Sequence, residues 1–143
     1  MNKLAHAISI AAKAFENKTD KGGKPYILHC LRVMNSVNQT DEELMIIAVL
    51  HDLLEDCPEL WSMDALRTHG FSERVCQTIF LLTHDKKVSY DDYIKAIALN
   101  EDARKVKLAD LKDNSDITRL KGLRKKDFDR MEKYHKAFIY LSN

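Results

Sequence analysis

Breakers of regular secondary structure are scarce in this chain: two prolines and four glycines in 143 residues. That leaves few sites for tight turns and disfavours a low-complexity or disordered chain. Long apolar runs are missing as well. The longest, "LMIIAVL" from Leu44 to Leu50, falls far short of the ~20 residues a membrane helix needs. Nor is there an excess of one charge, since 23 Lys and Arg stand against 22 Asp and Glu. Such balance gives no sign of a nucleic-acid or membrane surface, while leaving room for a local basic pocket. Three cysteines, Cys30, Cys57 and Cys76, form no CxxC pair, which argues against a disulfide framework or a zinc knuckle. The opening "MNKLAHAISIAAKAFENK" lacks the unbroken apolar core and cleavage site of a signal peptide. The expected setting is the cytosol, with free thiols.

What is present is helical periodicity. Leu4, Ile8, Ala11, Ala12 and Phe15 recur at three- and four-residue steps and draw one apolar stripe. "KTDKGGKP" (Lys18 to Pro25) interrupts it, and Pro25 suits the first turn of a second helix carrying Ile27, Leu28, Leu31, Val33, Met34 and Val37. Thr40 and Glu43 match a capping box that opens a third helix, running through Leu44 to Leu54 and stopped by Pro58. A short helix from about Ser62 ends at Gly70. Further helices are expected from Ser72 through Leu82, from Ser89 towards Leu99, over Glu101 to Asn114, and from Lys125 to Leu141. No segment alternates with period two for long enough to be a strand, and there are no repeats or linkers. The pattern predicts one all-α domain over residues 1–143.

Within the third helix, "AVLHDLLEDC" places His51, Asp52, Glu55 and Asp56 directly after a run that reads as buried. Buried charge is costly unless it is paired or binds a metal. Helical spacing would stack His51 on Glu55 and Asp52 on Asp56. His51 and Asp52 can reach one ion together but need further ligands. His29 in "PYILHCLRV" and Asp110 in "VKLADLKDN" are the candidates, each in an apolar frame. Imidazole and carboxylate donors from separate helices are a common way to build a divalent-metal site in an all-α core.

Three stretches carry a resemblance to a known family. "DKGGKPYILHCLRV" is similar to the R-K-S-G-E-P-Y-I-x-H-P segment of HD-domain phosphohydrolases, "AVLHDLLEDC" to their A-x-L-H-D-x-x-E-D-T, and "VKLADLKDN" to their K-L-A-D-R-L-H-N. Order and spacing agree over residues 20 to about 120. The likeness is to the hydrolase domain of the Rel/Spo alarmone enzymes and their small single-domain relatives. It implies a helical bundle with a metal site in its core. It implies that His29, His51, Asp52 and Asp110 hold one divalent ion, usually Mn²⁺ in the family. Glu55 and Asp56 then match the catalytic pair, and Lys21, Tyr26 and Asn114 match positions lining a nucleotide pocket. Thr83, in "LLTHDKK", falls on a family segment beside that pocket. The implied reaction removes pyrophosphate from the ribose 3′ position of (p)ppGpp, with no room for a synthetase domain. Other 3′-phosphorylated nucleotides, nucleoside mono- or triphosphates, or a nucleotide-sensing module without turnover are the alternatives.

The departures fall around the metal residues. Asp20 stands where the family has an Arg that stacks on guanine, and Lys24 replaces the acidic residue before Pro-Tyr. Cys30, Cys57 and Asp113 replace a Pro, a Thr and a His. Base preference is expected to relax, with Lys18, Lys21 and Lys24 able to hold phosphates. His84 and Asp85 repeat the His-Asp pair without a following Glu-Asp, so a second metal site is not expected there. "KGLRKKDFDR" (Lys121 to Arg130) reads as the solvated start of the last helix.

Overall fold

The computed structural model describes residues 2–143. Its helices are α1 (Lys3–Ala14), α2 (Ile27–Asn35), α3 (Glu42–Leu50), α4 (Leu53–Asp56), α5 (Met63–Thr68), α6 (Glu73–Leu82), α7 (Tyr90–Ala98), α8 (Glu101–Asn114) and α9 (Lys125–Ser142). A short 3₁₀ turn, Ile117–Arg119, joins the last two. Among the described residues the one extended pairing is an isolated bridge between Thr19 and Pro25. The all-α expectation therefore holds. None of these helices is long and apolar enough to cross a membrane.

The apolar run Leu44–Leu50 explains the layout. Every residue in it is buried, so α3 has no polar face there. A helix with that composition needs neighbours on all sides. α1 and α2 pack along it, α6 covers another side, and α8 closes the bundle between α2, α6 and α3. α7 and α9 then pack on α8. Capping follows the sequence closely elsewhere: Ser62, Ser72, Ser89 and Asn100 each accept a backbone N–H at the start of their helix.

The third helix differs from expectation at both ends. Its cap is Asp41, whose carboxylate accepts the Leu44 N–H at 3.1 Å, while the Thr40 hydroxyl bonds to Asn38 instead. An aspartate caps as well as a threonine and adds a charge that suits the positive helix end. Arg74 holds the same carboxylate at 2.8 Å. At the other end the helix is not continuous to Leu54. His51 closes α3 with a bond from its N–H to the Ala48 carbonyl, Asp52 follows near ψ 0°, and the chain restarts as α4. Asp52 and Asp56 stay one helical turn apart, joined by the Asp56 N–H to Asp52 carbonyl bond at 3.0 Å, whereas His51 and Glu55 lie on opposite sides of the break. The break instead sends His51 and Asp52 inward and leaves Glu55 and Asp56 to other partners.

Ile47 is fully buried at the centre of α3. Ile47→Ala should lower unfolding free energy by about 2–5 kcal/mol through lost burial and a residual cavity. Urea denaturation at unchanged m-value reads this; a loss below about 1 kcal/mol would mean the centre of the bundle is not tightly packed.

Candidate metal centre

His29 projects from the first turns of α2, His51 and Asp52 from the α3–α4 break, and Asp110 from α8. One donor atom from each lies within 4.8 Å of all the others. His29 Nε2 and His51 Nε2 stand 3.0 and 3.1 Å from Asp110 Oδ1. His51 Nε2 is 3.1 Å and His29 Nε2 3.8 Å from Asp52 Oδ2. His29, His51 and Asp110 are buried, and Asp52 is partly so.

The surroundings turn both imidazoles the same way. His29 Nδ1–H donates to Asp113 at 2.6 Å, and His51 Nδ1–H donates to the Ala48 carbonyl at 2.7 Å. Both Nε2 lone pairs then face the carboxylates, the orientation that metal-bound histidines adopt. His29 Nε2 is buried with no hydrogen-bond partner. That orphaned donor, with a mixed nitrogen and oxygen set, fits a divalent ion. Without one, charge pairing dominates. Burial disfavours charge on His51, yet Asp52 and Asp110 outweigh it and raise its pKa well above the usual value. Burial would likewise raise Asp110, but the Lys107 and His51 charges hold it well below the carboxylate range. The same contest leaves Asp52 at about 2, with His51 the main opposing charge.

The neighbours orient these groups further. The Tyr26 hydroxyl donates to Asp52. Lys107 Nζ and Asn114 Nδ2 each donate to Asp110 at 3.0 Å. Asn114, expected in a nucleotide pocket, thus also touches the metal group. Asp113, which stands where the related motif has His, holds His29 while receiving Arg32 at 2.7 Å and Arg119 at 3.2 Å.

Beside this cluster opens a cavity of about 320 Å³ lined by Lys18, Tyr26, Asp52, Glu55, Asp56 and Asp110 among others. Glu55 accepts the His84 N–H at 2.8 Å, and Asp56 accepts Lys18 Nζ at 2.7 Å. Burial raises the Glu55 pKa above the ordinary glutamate value, only partly offset by the His84 N–H. Lys18 also lies 4.0 Å from the centre of the Tyr26 ring. Lys21 is absent from this cavity. It lines a second one of about 250 Å³ that shares Lys18, Tyr26, Asn114 and Tyr134 with the first. Thr83 lines neither; its hydroxyl donates to the Ile79 carbonyl of the helix it ends.

Several residues at the site had no separate signal. Lys107 is one helical turn before Asp110, and that spacing could have marked it. His84 lines the cavity, but among the described residues it joins no second metal cluster. Tyr90, Lys133 and Tyr134 reach the cavity only through the packing of α7 and α9 on α8. Asp20 shapes the backbone around it. Its Oδ1 accepts the Gly22 and Lys24 N–H groups, each at 2.9 Å, and so closes the Lys18–Tyr26 loop. Gly22 lets that loop meet the 3₁₀ turn, since a Cβ there would stand 2.2 Å from the Arg119 carbonyl oxygen.

An HD-domain family model matches residues 7–107. The chain belongs to the HD-domain family. Among curated relatives of this HD domain is a guanosine-3′,5′-bis(diphosphate) 3′-pyrophosphohydrolase of Aquifex aeolicus, 33% identical over 122 residues. That alignment takes in 78% of this chain and 17% of the relative. The bifunctional (p)ppGpp synthase/hydrolase SpoT of Escherichia coli is 29% identical over 116 residues, covering 79% and 16%. The chain thus spans about a sixth of the length of these relatives. Among solved structures, a metazoan ortholog of SpoT described as hydrolysing ppGpp superposes with a TM-score of 0.77 at 22% identity, covering 99% of this chain and 85% of that one. At that identity the likeness is one of fold. The family match stops just short of Asp110, so the HD-domain model covers three of the four clustered residues.

Two substitutions probe the cluster. Asp52→Ala should abolish both bound divalent metal and stabilisation of the fold by Mn²⁺, because an ion that binds only the native state raises the melting temperature by mass action. Full occupancy of that variant by elemental analysis would remove Asp52 from the ligand set. Asp113→Asn should weaken Mn²⁺ affinity by about 10–100-fold, the usual cost of losing the partner that orients a ligating His. Titration calorimetry on the purified protein measures it.

Proposed function

We propose that the chain is a metal-dependent phosphohydrolase that removes pyrophosphate from the ribose 3′ position of (p)ppGpp. Residues 1–143 form its single HD-type domain, acting in the cytosol on a small nucleotide. The observation that carries the reading is the shared cavity. Two of the four convergent donors, Asp52 and Asp110, and a further pair of carboxylates, Glu55 and Asp56, border one space. A module that only sensed nucleotide would have no need of the second pair.

His29, His51, Asp52 and Asp110 would hold the ion, and Mn²⁺ suits their donor set. The chemistry supplied by a divalent ion there is activation of water near neutral pH and neutralisation of phosphate charge. Glu55 accepts the proton of the attacking water. Partial desolvation at the cavity wall makes it a stronger base than a fully solvated glutamate, and the His84 N–H fixes where its oxygen points. Asp56 aligns the same water and is held in place by Lys18. Lys18 and Lys107 bring positive charge to the phosphates as they enter. Tyr26 contributes its ring face and, through its hydroxyl, the aim of Asp52. Thr83 has no part in this arrangement beyond ending α6.

Base recognition rests on the second cavity. Asp20 is occupied with its own loop, and the guanidinium closest to it in that space belongs to Arg119. The first motif lacks the family's stacking Arg, so the guanine reading is supported by the likeness to guanosine-3′,5′-bis(diphosphate) 3′-pyrophosphohydrolases, with a relaxed base preference expected. A Mn²⁺-supplemented screen over purified nucleotides, read by chromatography, tests the substrate. Release of intact pyrophosphate from ppGpp with GDP as co-product is expected; orthophosphate release, or cleavage confined to other nucleotides, would overturn it.

Glu55→Gln should retain metal and lower turnover by ~10²-fold or more, the scale of general-base help. The pH profile carries the sign. The base must be deprotonated, and desolvation lifts its pKa, so kcat/KM should fall on acidification at a pH higher than an ordinary solvated glutamate would give. That acid limb should vanish in the residual activity of Glu55→Gln. Wild-type turnover in both Glu55→Gln and Asp56→Asn would place the proton acceptor elsewhere.

A further inference from the structure

The start of the last helix is solvent-exposed, as its charge run suggests, and its cations gather around one concavity. Lys121, Arg124 and Lys126, from the stretch between the 3₁₀ turn and α9, join Lys21 and Arg130 around a cavity of about 350 Å³. One carboxylate, Asp127, lines it, and that group is already used. It accepts the Arg124 N–H at 2.9 Å and Arg130 Nη2 at 2.7 Å. Lys125, between two cavity residues, points elsewhere and pairs with Asp129 at 2.9 Å. Among the described residues, Lys21, Lys121, Arg124 and Lys126 have no carboxylate within 4.0 Å, unlike Arg32, Arg67, Arg74 and Lys107. Four uncompensated cations around one concavity repel one another, and a multiply charged anion relieves that repulsion with charge-assisted hydrogen bonds. The positive end of α9 adds to the same field.

Position gives the charge its meaning. This basic cavity shares Lys21, Leu120 and Arg130 with the 250 Å³ cavity, which in turn shares Lys18, Tyr26 and Asn114 with the space beside the metal cluster. The three run in series. At one end are metal donors and Glu55. In the middle, Tyr26, Tyr134, Met131 and Leu120 offer flat and apolar walls. At the other end are Lys21, Lys121, Arg124 and Lys126, beside the Asp127–Arg130 pair. A ligand that fills the series carries one phosphate group at the reacting end, a flat apolar body, and a second anionic group beyond it.

We infer that the Lys121–Arg124–Lys126 cavity is a second phosphate subsite, and that it selects nucleotides phosphorylated at both ribose ends. The inference rests on the proposed hydrolase reading, and it assigns the 5′ phosphates a place that the metal cleft does not provide. Specificity then has two anchors. The scissile group is taken at the metal cleft, and the non-reacting diphosphate contributes ground-state binding at a distance from it.

The test compares ppGpp with guanosine 3′-diphosphate, which lacks the 5′ groups, in wild type and in the triple variant Lys121→Ala, Arg124→Gln, Lys126→Ala. The variant should raise KM for ppGpp by about tenfold or more with kcat nearly constant, as expected when charge-assisted contacts to a remote phosphate are removed. Its kcat/KM for guanosine 3′-diphosphate should stay at the wild-type value. Equal losses on both substrates, or none on either, overturn the subsite. Binding of GDP by titration calorimetry supplies a readout independent of turnover. The triple variant should weaken it by a similar factor, with steeper salt dependence in wild type. If wild type hydrolyses neither substrate yet binds GDP through these three residues, the hydrolase reading fails while the subsite stands. Unchanged GDP affinity in the variant refutes the subsite whatever the hydrolysis result, and circular dichroism with Mn²⁺ thermal shifts checks that the variant is folded.

Discussion

Two imidazoles and two carboxylates meet in a nearly dry space, and the rest of the bundle is arranged around the cost of that meeting. Isolated charges there would be prohibitive. Each is therefore answered by a named partner: Lys107 and Asn114 for Asp110, Tyr26 for Asp52, Asp113 for His29 and the Ala48 carbonyl for His51. The partners come from α3, α8 and the loop before α2. Helix packing and site assembly are one problem here, since moving any of these elements strands a buried charge.

The sequence made the broad answer legible because its signals were local. Apolar spacing marked the helices, serines marked the starts of three of them, and the four donors each sat in an apolar frame that pointed them inward. What was hidden was non-local or one residue in size. Thr40 and Asp41 are both competent caps, and the choice between them depends on Arg74 arriving from α6. The break at His51 and Asp52 has no glycine or proline to announce it; the inward pull of two polar side chains imposes it. Asp113 looked like a departure from a family motif and turned out to hold His29, a role visible only once α2 and α8 lie side by side.

Asp20 shows the same lesson from the opposite direction. Read by position, it replaced a stacking cation and removed a base contact. In three dimensions its carboxylate folds the loop it belongs to, while Arg119 lies at 3.9 Å from its other oxygen and lines the same cavity. A position can lose one function in a motif and gain another from its own backbone. Substituting it would change loop geometry and base environment together, so its effect on recognition cannot be separated from its effect on shape.

The short helix that ends at His51 also sets a limit on how this chain can vary. Its seven consecutive buried residues, Leu44 to Leu50, grip neighbours on every side, so the helix cannot slide or rotate as a rigid rod. Each residue of an α-helix turns the chain by about 100°. One residue inserted or removed between Asp41 and His51 would leave the grip intact at the start and swing His51 and Asp52 a quarter-turn or more away at the end. The helix acts as a ruler: substitutions along it are tolerable when volume is kept, whereas changes of length are not. Insertions in this protein belong in loops that carry none of the four clustered residues, such as the one between Cys57 and Ser62.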